Sequence, residues 1–137
     1  MVGEWLYNGQ PLQTEDVEDY VGMVYLIVNK NTGKSYIGKK FFWATKKLPP
    51  LKGMKRKRTK RVESDWKKYY GSNTQLTKDL EEKGFDNVER YVLRLCKTKT
   101  ECAYYELEEQ VLRNVLFTEE YYNEFIGVKI NGRNLRE

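Results

Sequence analysis

The chain has 137 residues, 39% of them hydrophobic and 33% charged, with a net charge of +5 and no histidine. That length and polarity suit one soluble globular domain with a modest core, and no apolar run approaches the roughly 18 residues of a membrane span. The missing histidine excludes Ser-His-Asp and Cys-His catalysis, zinc hydrolase sites and His-metal nucleases, so any hydrolysis must use carboxylate, tyrosine, lysine or arginine with a hard cation on oxygen ligands.

In chain order, residues 1–20 are acidic and weakly patterned, and read as a lead-in strand or loose arm without chemistry. The opening Met-Val-Gly-Glu-Trp-Leu has neither the basic start nor the apolar stretch of a signal peptide. From Gly22 to Lys40 the chain reads as two short strands around a turn. Val24, Leu26 and Val28 alternate with Tyr25, Ile27 and Asn29, a period-two pattern. Asn29-Lys30-Asn31-Thr32-Gly33 supplies turn residues, and Ser35-Tyr36-Ile37 returns as the second strand, ended by Gly38. A regular hairpin brings Tyr25 and Tyr36 close together. Lys39 and Lys40 follow at once.

Phe41 to Lys47 can start a helix, which Pro49-Pro50 must stop. The run from Leu51 to Arg61 is too basic to bury and reads as a mobile, solvated loop. Between Lys39 and Lys68 there are 13 basic and 2 acidic residues, against 12 basic and 18 acidic elsewhere. A basic block on an acidic body points to a directed polyanion surface, with phosphate contact from the loop. Glu63 to Ser72 interleaves aromatics with lysines and reads as a helix with its aromatic side inward, or as a platform beside a nucleic-acid backbone. Ser72 or Asn73 caps a helix running to about Lys83, ended by Gly84, with Leu76 and Leu80 inward. Asn87 to Leu95 reads as a third strand. Cys96 and Cys102 are too few for a disulfide framework or a structural zinc site, and read as reduced and buried in a cytosolic protein.

Thr98-Lys99-Thr100-Glu101 is a capping box. It opens a helix whose predicted buried stripe is Ala103, Leu107, Val111 and Val115. Glu106 and Gln110 lie one turn apart along one edge of that stripe, with Glu108 nearer the other. Tyr121-Tyr122-Asn123 follows, and residues 128–132 read as a last short strand. The expected organisation is a single domain over 1–137, with its core at about 22–126 and a basic insertion at about 46–63.

Four motifs in this order resemble the GIY-YIG nucleases, over roughly residues 22–126. Val24-Tyr25 is followed eleven residues on by Tyr36-Ile37-Gly38; Met23 stands where the family has its glycine, and Gly22 lies one residue earlier. Ser64-Asp65-Trp66 with Tyr70-Gly71-Ser72, Tyr104-x-Glu106-x-x-x-Gln110, and Tyr121-Tyr122-Asn123 complete the set. The likeness is to phage-encoded, homing-type (Seg-like) members. It implies an α+β fold, with a small three-stranded, mostly antiparallel sheet flanked by helices.

The resemblance also implies a DNA endonuclease that hydrolyses phosphodiester bonds with one divalent metal, Mg²⁺ or Mn²⁺. Carried onto this chain, Glu106 is the metal ligand, with Glu108 as its rival. Tyr25 positions or deprotonates the attacking water with Tyr36 beside it, and Asn123 braces the site. The family's arginine falls by spacing on Lys46; Arg56, Arg58 and Arg61 come later, and Arg58 or Arg61 is the expected catalytic cation. Lys39, Lys40, Lys46, Arg56, Lys57, Arg58 and Arg61 are the expected contacts to duplex DNA. With eleven residues after Ile126, recognition is expected from the basic loop, the N-terminal arm or another subunit, which leaves room for a homodimer on DNA. The host cytoplasm is the expected location. The rival readings are a non-catalytic basic DNA-binding module and a structure-specific repair or recombination nuclease.

Overall fold

The computed structural model describes residues 4–127 and 130–135. The elements run β1 (Trp5–Tyr7), β2 (Gln10–Pro11), β3 (Gly22–Asn29), β4 (Lys34–Phe41), β5 (Trp43–Leu48), β6 (Arg58–Glu63), α1 (Thr74–Lys83), β7 (Val88–Cys96) and α2 (Lys99–Leu112). The period-two stretch forms the predicted hairpin: β3 and β4 pair antiparallel, with Tyr25 opposite Gly38 and Ile27 opposite Tyr36. On its other side β3 pairs antiparallel with β7, and the register slips between Val24 and Tyr25. Such a bulge re-aims the side chains next to it.

The sheet is larger than the expected three antiparallel strands. Its order is β2-β1-β7-β3-β4, and β1 joins β7 in parallel, so it is five-stranded and mixed. The addition comes from the acidic N-terminal arm. Burying the Trp5 ring, 2% exposed, brings the arm's backbone onto the open edge of β7. The Trp5 indole donates to the Trp66 carbonyl at 2.7 Å.

β3 is buried on both faces. Met23, Tyr25 and Ile27 pack with Trp5, Phe42, Trp66, Leu76 and Leu80 on one side; Val24 and Ile37 pack with Cys96, Cys102 and Val115 under α2 on the other. Both cysteines are free and buried. α1 follows its sequence signals. The Asn73 side chain accepts from Leu76 N at 2.9 Å, and Gly84 closes the helix at φ +86°, a conformation that favours glycine.

Three other predicted elements are corrected. Phe41 to Lys47 is no helix: β5 pairs antiparallel with β6, Trp43 opposite Glu63 and Lys46 opposite Lys60. The hairpin root is held tertiarily, with Phe42 fully buried and the Trp43 indole donating to the carbonyls of Val17 and Tyr20 at 3.3 and 3.0 Å. The second half of the basic run is therefore a strand, and residues 49–57 form its exposed tip. The 63–72 stretch is one 3₁₀ turn, Trp66–Lys68, with Trp66 fully buried. On α2 the inward face is turned from the predicted stripe. Cys102 and Gln110 are its buried residues, whereas Val111 is 56% exposed. The strand expected at 128–132 begins outside the described residues, and Gly132–Asn134 is a 3₁₀ turn.

Candidate active site

β4 is an edge strand, and only its first half is covered. Ser35 N donates to Glu120 O at 2.8 Å and Tyr122 N to Ser35 O at 2.7 Å. Asn123 continues the pairing with its side chain: Oδ1 accepts from Ile37 N at 3.1 Å and Nδ2 donates to Ile37 O at 2.8 Å. The Tyr122 hydroxyl ties this segment to α1, donating to Asp79 at 2.7 Å. Asn123 thus acts on the strand that carries Tyr36, Gly38 and Lys39.

Beyond Ile37 lies a cleft of about 590 Å³, lined by Tyr25, Tyr36, Lys39, Lys40, Lys99 and Glu106 together with Phe41, Trp43, Ala44, Thr45, Ser64 and Ser72. Its geometry depends on a missing side chain. A Cβ at Gly38 would overlap the Tyr25 ring, 2.6 Å from Cζ, and press on Tyr36, 2.9 Å from Cε2. Gly38 therefore leaves the space in which Tyr25 extends from the core to the cleft. Gly22, at the start of β3, makes room in the same way. A Cβ there would stand 2.7 Å from the Lys40 carbonyl and 2.9 Å from Cys102 Sγ, so close packing of β4 and α2 requires glycine at 22 while Met23 is buried in the core.

Tyr25 is 1% exposed and lies 5.2 Å from the Trp5 ring centroid, 6.2 Å from Tyr36 and 6.0 Å from Tyr69. Burial pushes its hydroxyl well above the usual tyrosine range, reinforced by Tyr69, Tyr36 and the Glu106 carboxylate. Burial also raises Tyr36, partly opposed by a hydrogen bond from Ser72. With these surroundings both phenols are neutral at physiological pH and offer O–H donors and oxygen acceptors.

Glu106 enters from α2. Its Oε1 receives a hydrogen bond from Lys39 Nζ at 3.3 Å, the two side chains being 18% and 36% exposed. An ion pair open to water to that degree is worth at most about 1 kcal/mol and is readily exchanged. Lys40 pairs with Asp65 at 2.7 Å, with its ammonium 4.2 Å from the Tyr69 ring centroid. That hydrogen bond lowers the Asp65 carboxyl below its usual range. Glu108 is exposed and faces a different hollow, beside Leu93, Arg94 and Tyr105.

The remaining predicted cations lie on the β5–β6 hairpin, outside the cleft lining. Lys46, Arg56, Lys57 and Arg58 are exposed; Arg58 Nε donates to the Pro49 carbonyl at 3.3 Å. Arg61 donates to Glu18 O at 2.9 Å and stacks 3.8 Å from the Trp43 ring centroid. In their place Lys99 lines the cleft. Within the sequence it is one residue of a capping box and carries no other mark. Its spacing of seven from Glu106, two helical turns, was the signal that both share a face. Tyr69 was likewise missed, because its partner Tyr25 is far away in sequence.

Among the described residues no group of three or more His, Cys, Asp or Glu side chains stands together as a metal site, so any metal here would rely on one carboxylate and its other ligands. No helix among them is long and apolar enough to cross a membrane. A family model described as "Putative endonuclease segE, GIY-YIG domain" matches residues 5–126. Neither the curated proteins nor the solved structures gave a match.

Proposed function

Because this chain belongs to the GIY-YIG endonuclease domain family, of the segE type, and so carries a nuclease domain, we propose that it is a divalent-metal-dependent endonuclease that hydrolyses phosphodiester bonds of duplex DNA. The reading is that of a phage-encoded homing-type enzyme built as a single domain and working in the host cytoplasm. The observation that carries it is the convergence of Tyr25, Tyr36, Lys39, Lys40 and Glu106 on one cleft.

The donor set fits a hard cation. Mg²⁺ keeps several waters and is commonly held by one or two carboxylates with substrate phosphate, and Glu106 presents one partly exposed carboxylate on an exchangeable lysine contact. Mg²⁺ or Mn²⁺, when bound, would polarise the phosphoryl oxygens as a Lewis acid. Lys39, released from Glu106, joins Lys40 and Lys99 in neutralising the scissile phosphate. The Tyr25 and Tyr36 hydroxyls orient the attacking water, with Tyr25 held in place by its aromatic packing. Asn123 keeps β4, and with it Tyr36 and Lys39, in register. Lys46, Arg56, Lys57, Arg58 and Arg61 on the hairpin contact the phosphates of the flanking duplex. Arg58 serves binding there, and the cleft lysines take the role of the catalytic cation.

Supercoiled plasmid incubated with and without Mg²⁺ tests the reading. Nicking or linearisation only with the cation is expected. Gel retardation without any cleavage, in Mg²⁺ or Mn²⁺, would make the chain a basic DNA-binding module. Flap, junction and plain duplex substrates compared side by side separate a homing-type from a structure-specific enzyme.

A further inference from the structure

A second hollow, of about 460 Å³, opens beside the cleft, between the 68–71 segment and α1. Its place follows from the chain: Gly71 lines it, and the next residue, Ser72, lines the cleft of Tyr25 and Glu106. Two aromatic rings form its wall, Tyr70 and Phe85, with centroids 4.8 Å apart and planes at 68°. Tyr70 is clamped from behind. The Arg90 guanidinium lies 4.1 Å from its ring centroid and donates to the Tyr69 carbonyl at 2.6 Å, while Arg90 itself is only 3% exposed. Phe85, by contrast, is 41% exposed, so it presents ring surface to the hollow. A fixed aromatic wall beside a backbone-binding cleft is how proteins hold the face of an unpaired base.

The polar rim narrows the occupant further. Lys68, at the end near the cleft, suits a phosphate. Thr77 and Glu81 on α1 also line the hollow. A carboxylate repels phosphate but accepts a hydrogen bond from an exocyclic amino group, as it does from cytosine N4. Base edge at Glu81, base face on the rings and phosphate at Lys68 is the arrangement in which all three groups are used.

Resting on the nuclease reading above, we propose that this hollow takes one unpaired nucleobase, preferentially one with an exocyclic amine, from the strand whose phosphate lies in the cleft. A paired base is held in its stack and must be extruded first. The protein therefore favours DNA in which a nucleotide next to the cut is already unpaired.

The test uses the full chain in Ca²⁺ or without metal, and a duplex with one unpaired 2-aminopurine at successive positions beside the preferred cut, or beside a fixed nick if no cut is found. Wild-type protein should quench the fluorophore at one or two adjacent positions and bind this DNA more tightly than its fully paired counterpart. Phe85→Ala should abolish the quench and weaken binding of the unpaired substrate by about tenfold, as loss of one base–aromatic stack does, with paired duplex bound as before. Glu81→Gln should reduce the preference for unpaired cytosine over thymine by about tenfold, and it carries the test should Phe85→Ala fail to fold. Full quench in Phe85→Ala, equal weakening of paired and unpaired DNA, or an unchanged cytosine preference in Glu81→Gln would each overturn the proposal. Quenching that depends on Phe85 in a protein that cuts no DNA would leave this site standing and remove the nuclease reading; plasmid cleavage without any quench would do the reverse.

Discussion

Replacing Gly38 with alanine tests the link between packing and chemistry most directly. The φ of Gly38 lies outside the left-handed region, so alanine meets no backbone strain there and by itself would stabilise the strand by about 0.5–1 kcal/mol. Against this, the new Cβ would stand 2.6 Å from Tyr25 Cζ and 2.9 Å from Tyr36 Cε2. Tyr25 has little room to yield, being 1% exposed and packed against Trp5 and Tyr69. Forcing an extra carbon into such a core costs about 1–3 kcal/mol, and contact with a buried ring favours the upper half of that range. The expected net loss is about 1–2 kcal/mol, which lowers the urea midpoint by about 0.5–1 M for a chain of this size. Because the displaced atoms include the Tyr25 hydroxyl, cleavage should fall further than stability does, by about 100-fold for a shift of 1 Å. Urea unfolding and plasmid nicking by the same preparation measure both. A midpoint at or above wild type, with an unchanged nicking rate, would show that Cβ fits and that Gly38 does not make room for Tyr25.

Glu106→Ala should abolish Mg²⁺-dependent cutting while changing stability by less than about 1 kcal/mol, because its ion pair with Lys39 is partly exposed; Glu108→Ala should cut at the wild-type rate, and the opposite pattern would exchange the two assignments. Replacing Arg56, Lys57 and Arg58 together with glutamine should flatten the slope of log K against log salt by roughly two to three units, since each phosphate contact contributes about −0.9; an unchanged slope would place the hairpin tip away from bound DNA. Asn123→Ala strips partners from both Ile37 N and Ile37 O and should cost about 2–3 kcal/mol in urea unfolding, with Asn123→Asp, which keeps the acceptor, in between. Finally, the chain has one Tyr25/Tyr36 pair and one Glu106, so a monomer should nick plasmid before linearising it, whereas a two-fold dimer on DNA can do both together. A time course at low enzyme, with light scattering for mass, decides this, and a strict monomer that linearises with no nicked intermediate would defeat the one-site argument.

The features of the site legible beforehand were those encoded within a few residues. Tyr25 and Tyr36 face one another because a period-two stretch on either side of an Asn-Gly turn leaves few other registers. Thr98 and Asn73 cap their helices as written, since a cap is a contact across three residues. The cation set was misjudged for the opposite reason. Arg58 and Arg61 stood out by density of charge, yet their direction depends on a hairpin whose strands pair Lys46 with Lys60, a juxtaposition that no local pattern announces.

The sequence by itself determined the central antiparallel hairpin, the strand that pairs beside it, both helices, a chemistry without histidine, and a basic block set against an acidic body. Each is a matter of local backbone preference or of composition. Only the tertiary structure decided which face of α2 turns inward. The apolar repeat pointed to Val111, but the helix seats Cys102 over Gly22 and brings Glu106 to Lys39, because close approach at a glycine and a polar contact at the sheet edge outweigh the burial of one valine. It likewise decided that the N-terminal arm extends the sheet, that β5 and β6 pair across the Pro49-Pro50 break, and that Tyr69, Lys99 and Gly38 belong with Tyr25 around a single cleft. Those are contacts between residues far apart in the chain. Their free energy comes from jointly excluding water from Trp5, Tyr25, Phe42 and Trp66, and no single segment carries that signal.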